Sequence, residues 1–215
     1  MAIAEKATVL LTGASGLLGR QVLAALQNKD IKILAQYHCN RGSANESVTW
    51  LAADLSTPEG IASFIANQSA LLGRVTHLVN CYGPIECRDT LELSGAEILA
   101  AFNANLMPAV ELTRFLLPLG RLQCLLSMGF EGAGQIRSYR RVLAYALAKN
   151  ALLLHHQSLA AARPDLRVYF LSPVNLAGAE CPRPGGAEIP PEKLAEEIAG
   201  LLFSDQLSIH LKMGW

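Results

Sequence analysis

Short apolar runs alternate along the chain with longer segments in which apolar residues recur every three to four positions. The short runs predict buried strands, and the longer segments predict helices that pack one face against a core. The predicted strands cover residues 7–13, 31–38, 48–54, 75–80, 121–127, 166–172 and 206–213. The predicted helices cover residues 17–28, 58–73, 94–117, 138–162 and 190–203.

This alternation of strands and helices predicts an α/β fold. Because the strands are continuously apolar, they belong in a parallel sheet that is covered on both faces. We therefore expect a three-layer α/β/α fold, with a doubly wound parallel sheet of about seven strands. In such sheets ligands bind beyond the carboxyl ends of the strands, so the residues that follow each strand are candidates for function. The loop over residues 173–190 is rich in proline and glycine and is expected to form a substrate lid.

Composition and charge exclude several classes of protein. The 215 residues fit one domain, and a content of 51% hydrophobic and 17% charged residues suits a large core. There are 18 basic and 18 acidic residues, so the net charge offers no attraction for nucleic acid or for an anionic membrane. No apolar run reaches the roughly 18 residues of a membrane span, and the first residues lack the layout of a secretory signal. We expect a cytoplasmic protein.

Cysteine and histidine residues give little indication of a metal or redox site. The five cysteines, at positions 39, 81, 87, 124 and 181, are widely spaced and form no CxxC pair. We therefore expect free thiols and no metal site. His155 and His156 lie on a predicted helix and are expected to be surface or interface residues.

A glycine-rich turn over residues 12–19 separates the first strand from the first helix. Gly13 permits the tight turn, Gly16 allows a pyrophosphate to approach the backbone, and Gly19 allows helix and strand to pack closely. The free N–H groups and the positive end of the helix would bind phosphates. The turn therefore predicts a dinucleotide site, formed by these three glycines with Ser15, Leu17 and Leu18.

The end of the second strand indicates which dinucleotide is bound. An NAD enzyme usually has an acidic residue there, which accepts from the ribose 2′-hydroxyl and would repel a 2′-phosphate. Residues 36–41 contain no acid, and Arg41 can form charge-assisted hydrogen bonds to a phosphate. We therefore expect NADP(H) as the cofactor, with His38 and Asn40 near the phosphate.

Tyr145 and Lys149 lie four residues apart in a strongly helical pattern, which places both side chains on one face. A free tyrosine has a pKa of about 10 and is a poor acid–base catalyst at neutral pH, but a nearby ammonium favours the phenolate. The pair is therefore a candidate for proton transfer, with Lys149 lowering the pKa of Tyr145. Tyr139 is rejected for this role, because no lysine follows it by four residues.

Taken in order, these features resemble the short-chain dehydrogenase/reductase family over nearly the whole chain. Further matching positions are Asp54-Leu55, Asn80-Cys81-Tyr82-Gly83, Asn105, Ser127 and Ser172-Pro173-Val174. The resemblance implies a Rossmann-type fold and an NADP(H)-dependent oxidoreductase that reduces a carbonyl, or an imine, of a small molecule. The segment around His38 is most similar to ketoacyl reductases and pteridine reductases.

The resemblance also implies a role for each matching residue. Tyr145 would be the general acid, Lys149 would also hold the nicotinamide ribose, and Ser127 would hydrogen-bond the substrate oxygen. Asn105 would hold a water molecule where Pro108 distorts the helix. The other cofactor contacts would come from Asp54 and Leu55 at the adenine, from Asn80, Cys81, Tyr82 and Gly83 around its ribose, and from Pro173 and Val174 at the carboxamide end.

Four departures from the family pattern leave alternatives open. The glycines have the spacing TGxxGxxG of the longer, epimerase-like branch, and the bulky Tyr82 could crowd the adenosine. Ser127 precedes Tyr145 by eighteen residues, more than is usual in the family, so the segment between them must loop out. Ser138 is the alternative to Ser127 for this role, but it does not follow a predicted strand. The segment after the sixth strand is short, and the glycine-rich ending of the family is missing.

Two other functions therefore stay open. A catalytically weak NADP(H)-binding subunit with a regulatory or structural role would explain the long serine-to-tyrosine spacing and the short lid. An epimerase or dehydratase that recycles NAD rests on the glycine spacing alone, and the missing acid after the second strand opposes it. Under each function, the helices over residues 95–117 and 139–162 are expected to form a homodimer or homotetramer, as they commonly do in the family.

Overall fold

A computed structural model describes residues 6–43, 46–135, 138–179, 181 and 187–206, together with the backbone of the strand over 209–213. The strands are β1 (Thr8–Thr12), β2 (Lys32–Tyr37), β3 (Val48–Ala52), β4 (His77–Asn80), β5 (Cys124–Met128), β6 (Arg167–Pro173), β7 (Asn175–Leu176), β8 (Glu188–Ile189) and β9 (Ile209–Met213). The helices are α1 (Leu17–Gln27), α2 (Pro58–Leu72), α3 (Gly95–Asn105), α4 (Met107–Leu116), α5 (Leu143–Ala162) and α6 (Pro191–Leu201).

Seven strands form one sheet in the order β3-β2-β1-β4-β5-β6-β9, and every neighbouring pair is parallel. The chain winds outward from β1 to β3 in one direction and from β4 to β9 in the other. The predicted fold class, a Rossmann-type doubly wound sheet, is confirmed. In this topology the ligand crevice lies at the carboxyl ends of the strands, where the winding reverses between β1 and β4.

Successive residues of the central strands pack on opposite faces of the sheet, because side chains alternate along a strand. Val9 and Leu11 of β1 belong to an apolar cluster with Val22 of α1 and Ile198 of α6. Leu10, between them, belongs to a second cluster that includes residues of α2 and α4. The sheet is therefore covered on both faces, which explains why its strands are apolar at nearly every position.

The helix predicted over residues 94–117 is divided in the structure into α3 and α4. Leu106, between them, has φ −111° and ψ −52°, and Pro108 at the second position of α4 has no N–H with which to continue α3. The distortion predicted near Asn105 is therefore confirmed. The start predicted for the next helix is wrong, because residues 140–142 form a turn and α5 begins at Leu143.

Local capping interactions define the starts of two helices. Thr57 Oγ1 accepts a hydrogen bond from Gly60 N at 3.1 Å, and a proline occupies the first position of α2. Ser94 and Glu97 form a reciprocal capping box at the start of α3. Of the helices in the described residues, none is long and apolar enough to cross a membrane.

The segment predicted to form a lid, residues 173–190, begins at the end of β6. Within it β7 and β8 pair in parallel, while residues 180 and 182–186 lie outside the described part of the chain. Cys181 forms a disulfide with Cys87, which precedes it by 94 residues and lies in the loop after β4. The expectation of free thiols is wrong for this pair, because the fold brings together two loops that are distant in sequence. Cys39, Cys81 and Cys124 are free.

Candidate active site

The turn between β1 and α1 has the backbone geometry of a phosphate-binding turn. Gly13 has φ +66°, which glycine adopts without strain, and its carbonyl accepts a hydrogen bond from Gly16 N at 3.0 Å. A Cβ at Gly19 would overlap the Gly13 carbonyl, so α1 packs directly on the turn. No side chain caps the start of α1 at Leu17, which leaves its first N–H groups for a ligand. Ser15 is half-buried in the same turn.

The side chain of Gln36 in β2 connects this turn by hydrogen bonds to the end of β3. Its Oε1 accepts a hydrogen bond from Gly13 N at 2.8 Å, and its Nε2 donates to Ala53 O at 2.8 Å. Sequence reasoning missed this residue. A glutamine inside an otherwise apolar strand was the available signal, because a buried amide needs hydrogen-bond partners.

The loop after β2 exposes the three residues predicted to bind a 2′-phosphate, which are His38, Asn40 and Arg41. Trp50 of β3 holds this loop in place. Its Nε1 donates to Ser43 O at 3.1 Å, and a Cβ at Gly42 would overlap its ring. The backbone of the loop is therefore held against β3, while the three polar side chains lie at the surface.

The residues predicted beside the adenine follow β3 and β4. Asp54 Oδ1 accepts hydrogen bonds from Ser56 Oγ at 2.6 Å and Ser56 N at 2.8 Å, which hold the pKa of Asp54 below its ordinary value. Burial and the Asp54 charge raise the pKa of Tyr82, whose phenol also hydrogen-bonds Ser56. The Tyr82 ring therefore extends towards Asp54, where the adenine is predicted. Leu55 is fully buried, so its side chain packs in the core rather than facing a ligand.

A row of buried polar side chains crosses the sheet near the carboxyl ends of three strands. Thr12, Asn80 and Ser127 are direct neighbours in the register of β1, β4 and β5. Thr12 Oγ1 donates to Asn80 Oδ1 at 3.3 Å, and Asn80 Nδ2 donates to Ser127 Oγ at 3.0 Å. His156 of α5 ends the row, with its Nε2 2.8 Å from Ser127 Oγ and its Nδ1 3.0 Å from Leu152 O.

These contacts determine where the hydroxyl proton of Ser127 lies. The Leu152 carbonyl can only accept, so His156 Nδ1 carries the ring proton and Nε2 accepts from Ser127. Burial lowers the pKa of His156 to about 3, which keeps the ring neutral. The expectation that His156 is a surface or interface residue is wrong, because it is 2% exposed. Ser127 is fully buried and donates its only proton to His156 in this structure, while the substrate contact that the resemblance implied stays a prediction.

Tyr145 and Lys149 lie on the buried face of α5, and His156 follows Lys149 by seven residues on that face. This helical spacing was the signal that could have revealed His156. Lys149 Nζ lies 5.4 Å from the centre of the Tyr145 ring, over its face. A Cβ placed on Gly83 would lie 2.7 Å from Lys149 Nζ and 2.7 Å from Asn105 Oδ1. Lys149 Nζ and Asn105 Oδ1 therefore lie close to each other beside Gly83. The fold thus brings four of the predicted site residues together.

Burial governs the electrostatics of this group. It lowers the pKa of Lys149 to about 8, an effect that the neighbouring Cys81 thiol opposes. It raises the pKa of Cys81 to about 12 and that of Tyr145 above its ordinary value. The direction for Tyr145 is opposite to the predicted one, because the ammonium lies over the ring face and burial dominates. A phenol with a raised pKa stays protonated at neutral pH and can act as a proton donor.

A cavity of about 500 Å³ opens beside Tyr145. Its walls come from the end of β5, the segment before α5, Tyr145 itself and the segment after β6. Pro173 and Val174, which were predicted to contact the cofactor, line it. Cys181 lines it too, so the disulfide to Cys87 fixes one side of the cavity. The candidate proton donor therefore faces a space large enough for a small molecule.

A serine other than Ser127 lies in this cavity. Ser138 is one of the lining residues, whereas Ser127 is not among those that the described chain contributes. The cavity wall after β5 is Gly129, where a Cβ would overlap the ring of Phe170. That position therefore has no room for a side-chain hydroxyl, and Ser138 is the serine among the described lining residues.

Aromatic rings hold Tyr145 in place. Phe130 packs edge to face on the Tyr145 ring with centroids 5.7 Å apart, and on the Tyr139 ring at 5.5 Å. Tyr139 Oη donates to Gly132 O at 2.7 Å. The Tyr139 hydroxyl is thus used inside its own loop, which agrees with its rejection as the proton donor.

The crevice between the glycine turn and α5 has features that fit a bound dinucleotide. Asn105 Oδ1 is buried and has no hydrogen-bond partner among the described residues, and it faces the same point as Lys149 Nζ. A ribose hydroxyl or a water molecule could bond to both. Any side chain at Gly83 would fill this space. The open start of α1 offers N–H groups for phosphates at the other end.

Several known proteins are similar to this chain. A family model described as short chain dehydrogenase matches residues 7–168. The ketoacyl reductase HetN of Nostoc sp. is 32% identical to this chain over 139 residues. That match covers 60% of this chain and 45% of the relative, so it spans less than half of the relative's length.

Solved structures share the fold at low sequence identity. A short-chain dehydrogenase from Streptomyces avermitilis superposes with a TM-score of 0.82 at 20% identity, covering 99% of this chain and 89% of its own. An alcohol dehydrogenase from Thermococcus sibiricus complexed with 5-hydroxy-NADP gives 0.77 at 20% identity, covering 97% and 96%. A short chain dehydrogenase from Leptospira borgpetersenii with bound NAD⁺ gives 0.82 at 18% identity, covering 97% and 91%.

Proposed function

This chain belongs to the short-chain dehydrogenase family, and on that premise we propose that it is an oxidoreductase that reduces a carbonyl group of a small molecule with NADPH. The observation that carries the proposal is the buried group of Tyr145, Lys149 and Asn105, of which Tyr145 lines a cavity. Family membership supports an oxidoreductase with a nicotinamide cofactor. The preference for NADPH and the roles of single residues are our own inferences.

The chain offers a contact for each part of the cofactor. The turn at Gly13 and the start of α1 would hold the pyrophosphate, and Asp54 would meet the adenine. Arg41 would bind the 2′-phosphate, and Lys149 would hold the nicotinamide ribose. When bound, NADPH would supply the hydride that reduces the carbonyl carbon.

Tyr145 would supply the proton that completes the reduction. Its phenol lines the cavity, and its raised pKa keeps it in the acid form, so it can donate to the carbonyl oxygen as negative charge develops there. The ammonium of Lys149 would then stabilise the phenolate that remains. We assign the second hydrogen bond to the substrate oxygen to Ser138, because it lines the cavity and Ser127 bonds to His156 instead.

The test of this function is turnover by the purified protein. We expect consumption of NADPH, followed at the absorbance of the reduced nicotinamide, with at least one member of a panel of ketones, aldehydes and imines. NADH should be a poorer donor. Tight binding of NADPH without consumption across the panel would contradict an enzyme. It would instead support a catalytically weak NADP(H)-binding subunit, which the bond between Ser127 and His156 favours as the second candidate.

Replacement of Arg41 by alanine should raise the KM for NADPH by about 10- to 100-fold and change the KM for NADH little. The reason is the loss of one or two charge-assisted hydrogen bonds to the 2′-phosphate. Steady-state kinetics with both cofactors measure this difference. Lys32→Ala is the matched control, since Lys32 is also exposed but starts β2 at the opposite end of the sheet. Equal effects of Arg41→Ala on the two cofactors would contradict the assignment.

Leucines on the outer faces of two helices support the proposed homo-oligomer. Leu99 of α3 is 61% exposed and Leu154 of α5 is 64% exposed, and both lie in the helices expected to pair. We expect Leu154→Glu to raise the dissociation constant of the oligomer at least about tenfold, because it places a charge in an apolar contact. Light scattering after gel filtration measures this. Leu119→Glu, at a leucine 44% exposed beyond α4, should leave the mass unchanged. A monomeric native protein would refute the proposed assembly.

A further inference from the structure

Arg141 lies in the wall of the cavity that contains Tyr145. Its backbone is fixed, because its carbonyl accepts a hydrogen bond from Arg88 N at 2.9 Å. The carbonyl of Arg140 next to it accepts from Thr90 N at 2.8 Å and from Thr90 Oγ1 at 2.9 Å. These contacts tie the segment before α5 to the loop after β4. The guanidinium of Arg141 therefore starts from a backbone that is held at the rim of the cavity.

Two arginines close to Arg141 in the structure form ion pairs. Arg140 Nε lies 2.9 Å from Asp89 Oδ2, and Arg88 lies 2.7 Å from Glu97 and 3.2 Å from Glu86. Within the described part of the chain, Arg141 forms no ion pair of this kind.

Two acidic side chains, Asp89 and Glu131, could compete with a bound anion for Arg141. The Asp89 carboxylate accepts hydrogen bonds from Leu91 N and Arg140 Nε. These bonds, with a smaller contribution from the Arg141 charge, lower the pKa of Asp89. Glu131, the other charged residue in the cavity wall, has a contact of its own. As far as the described residues show, the donors of Arg141 are therefore open to solvent and to a bound molecule.

Much of the remaining wall near Arg141 is apolar and includes Ile85, Phe130, Val142 and Leu176. Arg141 is exposed in the open cavity, and a neutral apolar molecule that covered its guanidinium would displace water without pairing the charge, which is costly. An anionic group would both pair the charge and form directed hydrogen bonds with it. Arg141 precedes Tyr145 by four residues, across the turn at which α5 begins, so the two side chains enter the cavity from separate positions in its wall. The anion would thus lie several bonds from the reacting carbonyl.

We propose that Arg141 selects the substrate, and that the substrate class is carbonyl compounds with a carboxylate or another anionic group several bonds from the carbonyl. This proposal rests on the carbonyl reductase activity proposed above, with Tyr145 at one end of the molecule and Arg141 at the other. Arg141 is a specificity residue here and takes no part in the proton transfer.

The experiment compares an oxo acid with its uncharged ester. For 5-oxohexanoate and its methyl ester, we expect the native protein to show the higher kcat/KM with the acid. Arg141→Gln should raise the KM for the acid about tenfold or more and leave the KM for the ester within about threefold. Arg141→Lys should restore part of the preference. Arg140→Gln is the matched control, because Arg140 pairs with Asp89 and is not a lining residue.

The possible failures can be told apart. Equal losses on acid and ester in Arg141→Gln, or a native preference for the ester, would overturn the role of Arg141 while leaving the reductase intact. If no carbonyl compound is reduced, the proposed function fails, and ligand-observed NMR with hexanoate and hexanol still tests Arg141. Native protein should then bind hexanoate in preference to hexanol, and Arg141→Gln should lose that preference. Equal binding of the two probes by native protein would overturn the anion site.

Discussion

Tyr145→Phe is expected to lower kcat by about 100- to 10,000-fold, the usual contribution of a positioned general acid. The substitution removes only the hydroxyl, and the ring contact with Phe130 at 5.7 Å can remain, so the fold should be preserved. Binding of NADPH should weaken only slightly, since Lys149 and the glycine turn are unchanged. Single-turnover measurement of NADPH oxidation, with circular dichroism as a check of folding, measures the effect.

Tyr139→Phe is the matched control for this substitution. Tyr139 also lines the cavity, but its hydroxyl donates to Gly132 O within its own loop, so its loss should reduce kcat far less. A Tyr145→Phe enzyme as fast as the native one would show that another group delivers the proton. The catalytic proposal would then be wrong, although membership in the family would stand.

Gly19→Ala is expected to abolish measurable NADPH binding and to lower the free energy of unfolding by about 1–3 kcal/mol, as overpacking does. A Cβ at this position would overlap the Gly13 carbonyl. Gly13 has a positive φ, and its N–H donates a hydrogen bond to Gln36 Oε1, so its position is fixed. The turn must therefore shift away from α1, which displaces the N–H groups at the helix start. Isothermal titration with NADPH and thermal unfolding measure the two effects, the second as a drop of roughly 3–10 °C.

Gly200→Ala is the control for Gly19→Ala. Gly200 also lies in a helix, α6, but a Cβ there would meet no atom within 4 Å. Alanine at this position should raise stability by about 0.5–1 kcal/mol, because glycine is the poorer helix former. Native-like NADPH binding and unfolding in Gly19→Ala would show that the turn is not the phosphate site.

The row of buried polar side chains connects the two parts of the proposed site. Thr12, Asn80 and Ser127 connect the end of the first strand to the strand beside α5 through side-chain hydrogen bonds. His156 links this row to the helix that holds Tyr145 and Lys149. The two halves of the proposed site, for cofactor and for proton transfer, are thus joined by one buried polar row.

Local patterns in the sequence were sufficient to predict much of the fold. Apolar runs identified the strands of the sheet, and the glycine turn was placed between β1 and α1 because turn chemistry depends only on adjacent residues. The spacing of Tyr145 and Lys149 placed them on one helix face for the same reason. The start of α5 was missed, since residues 138–142 have helical periodicity but their backbone bonds to the loop after β4 instead.

Contacts between distant residues were decided only by the tertiary structure. The pairing of Cys87 with Cys181, the bond between Ser127 and His156, and the place of Arg141 in the cavity wall all depend on loops and strands that meet in space. Nothing in the neighbouring residues of any of these positions reveals its partner. The sequence by itself therefore determined which elements form and what chemistry follows each strand. The packing of the sheet against α5 sets long-range register and burial. It determined that Ser138 lines the cavity and that Ser127 is buried in the core.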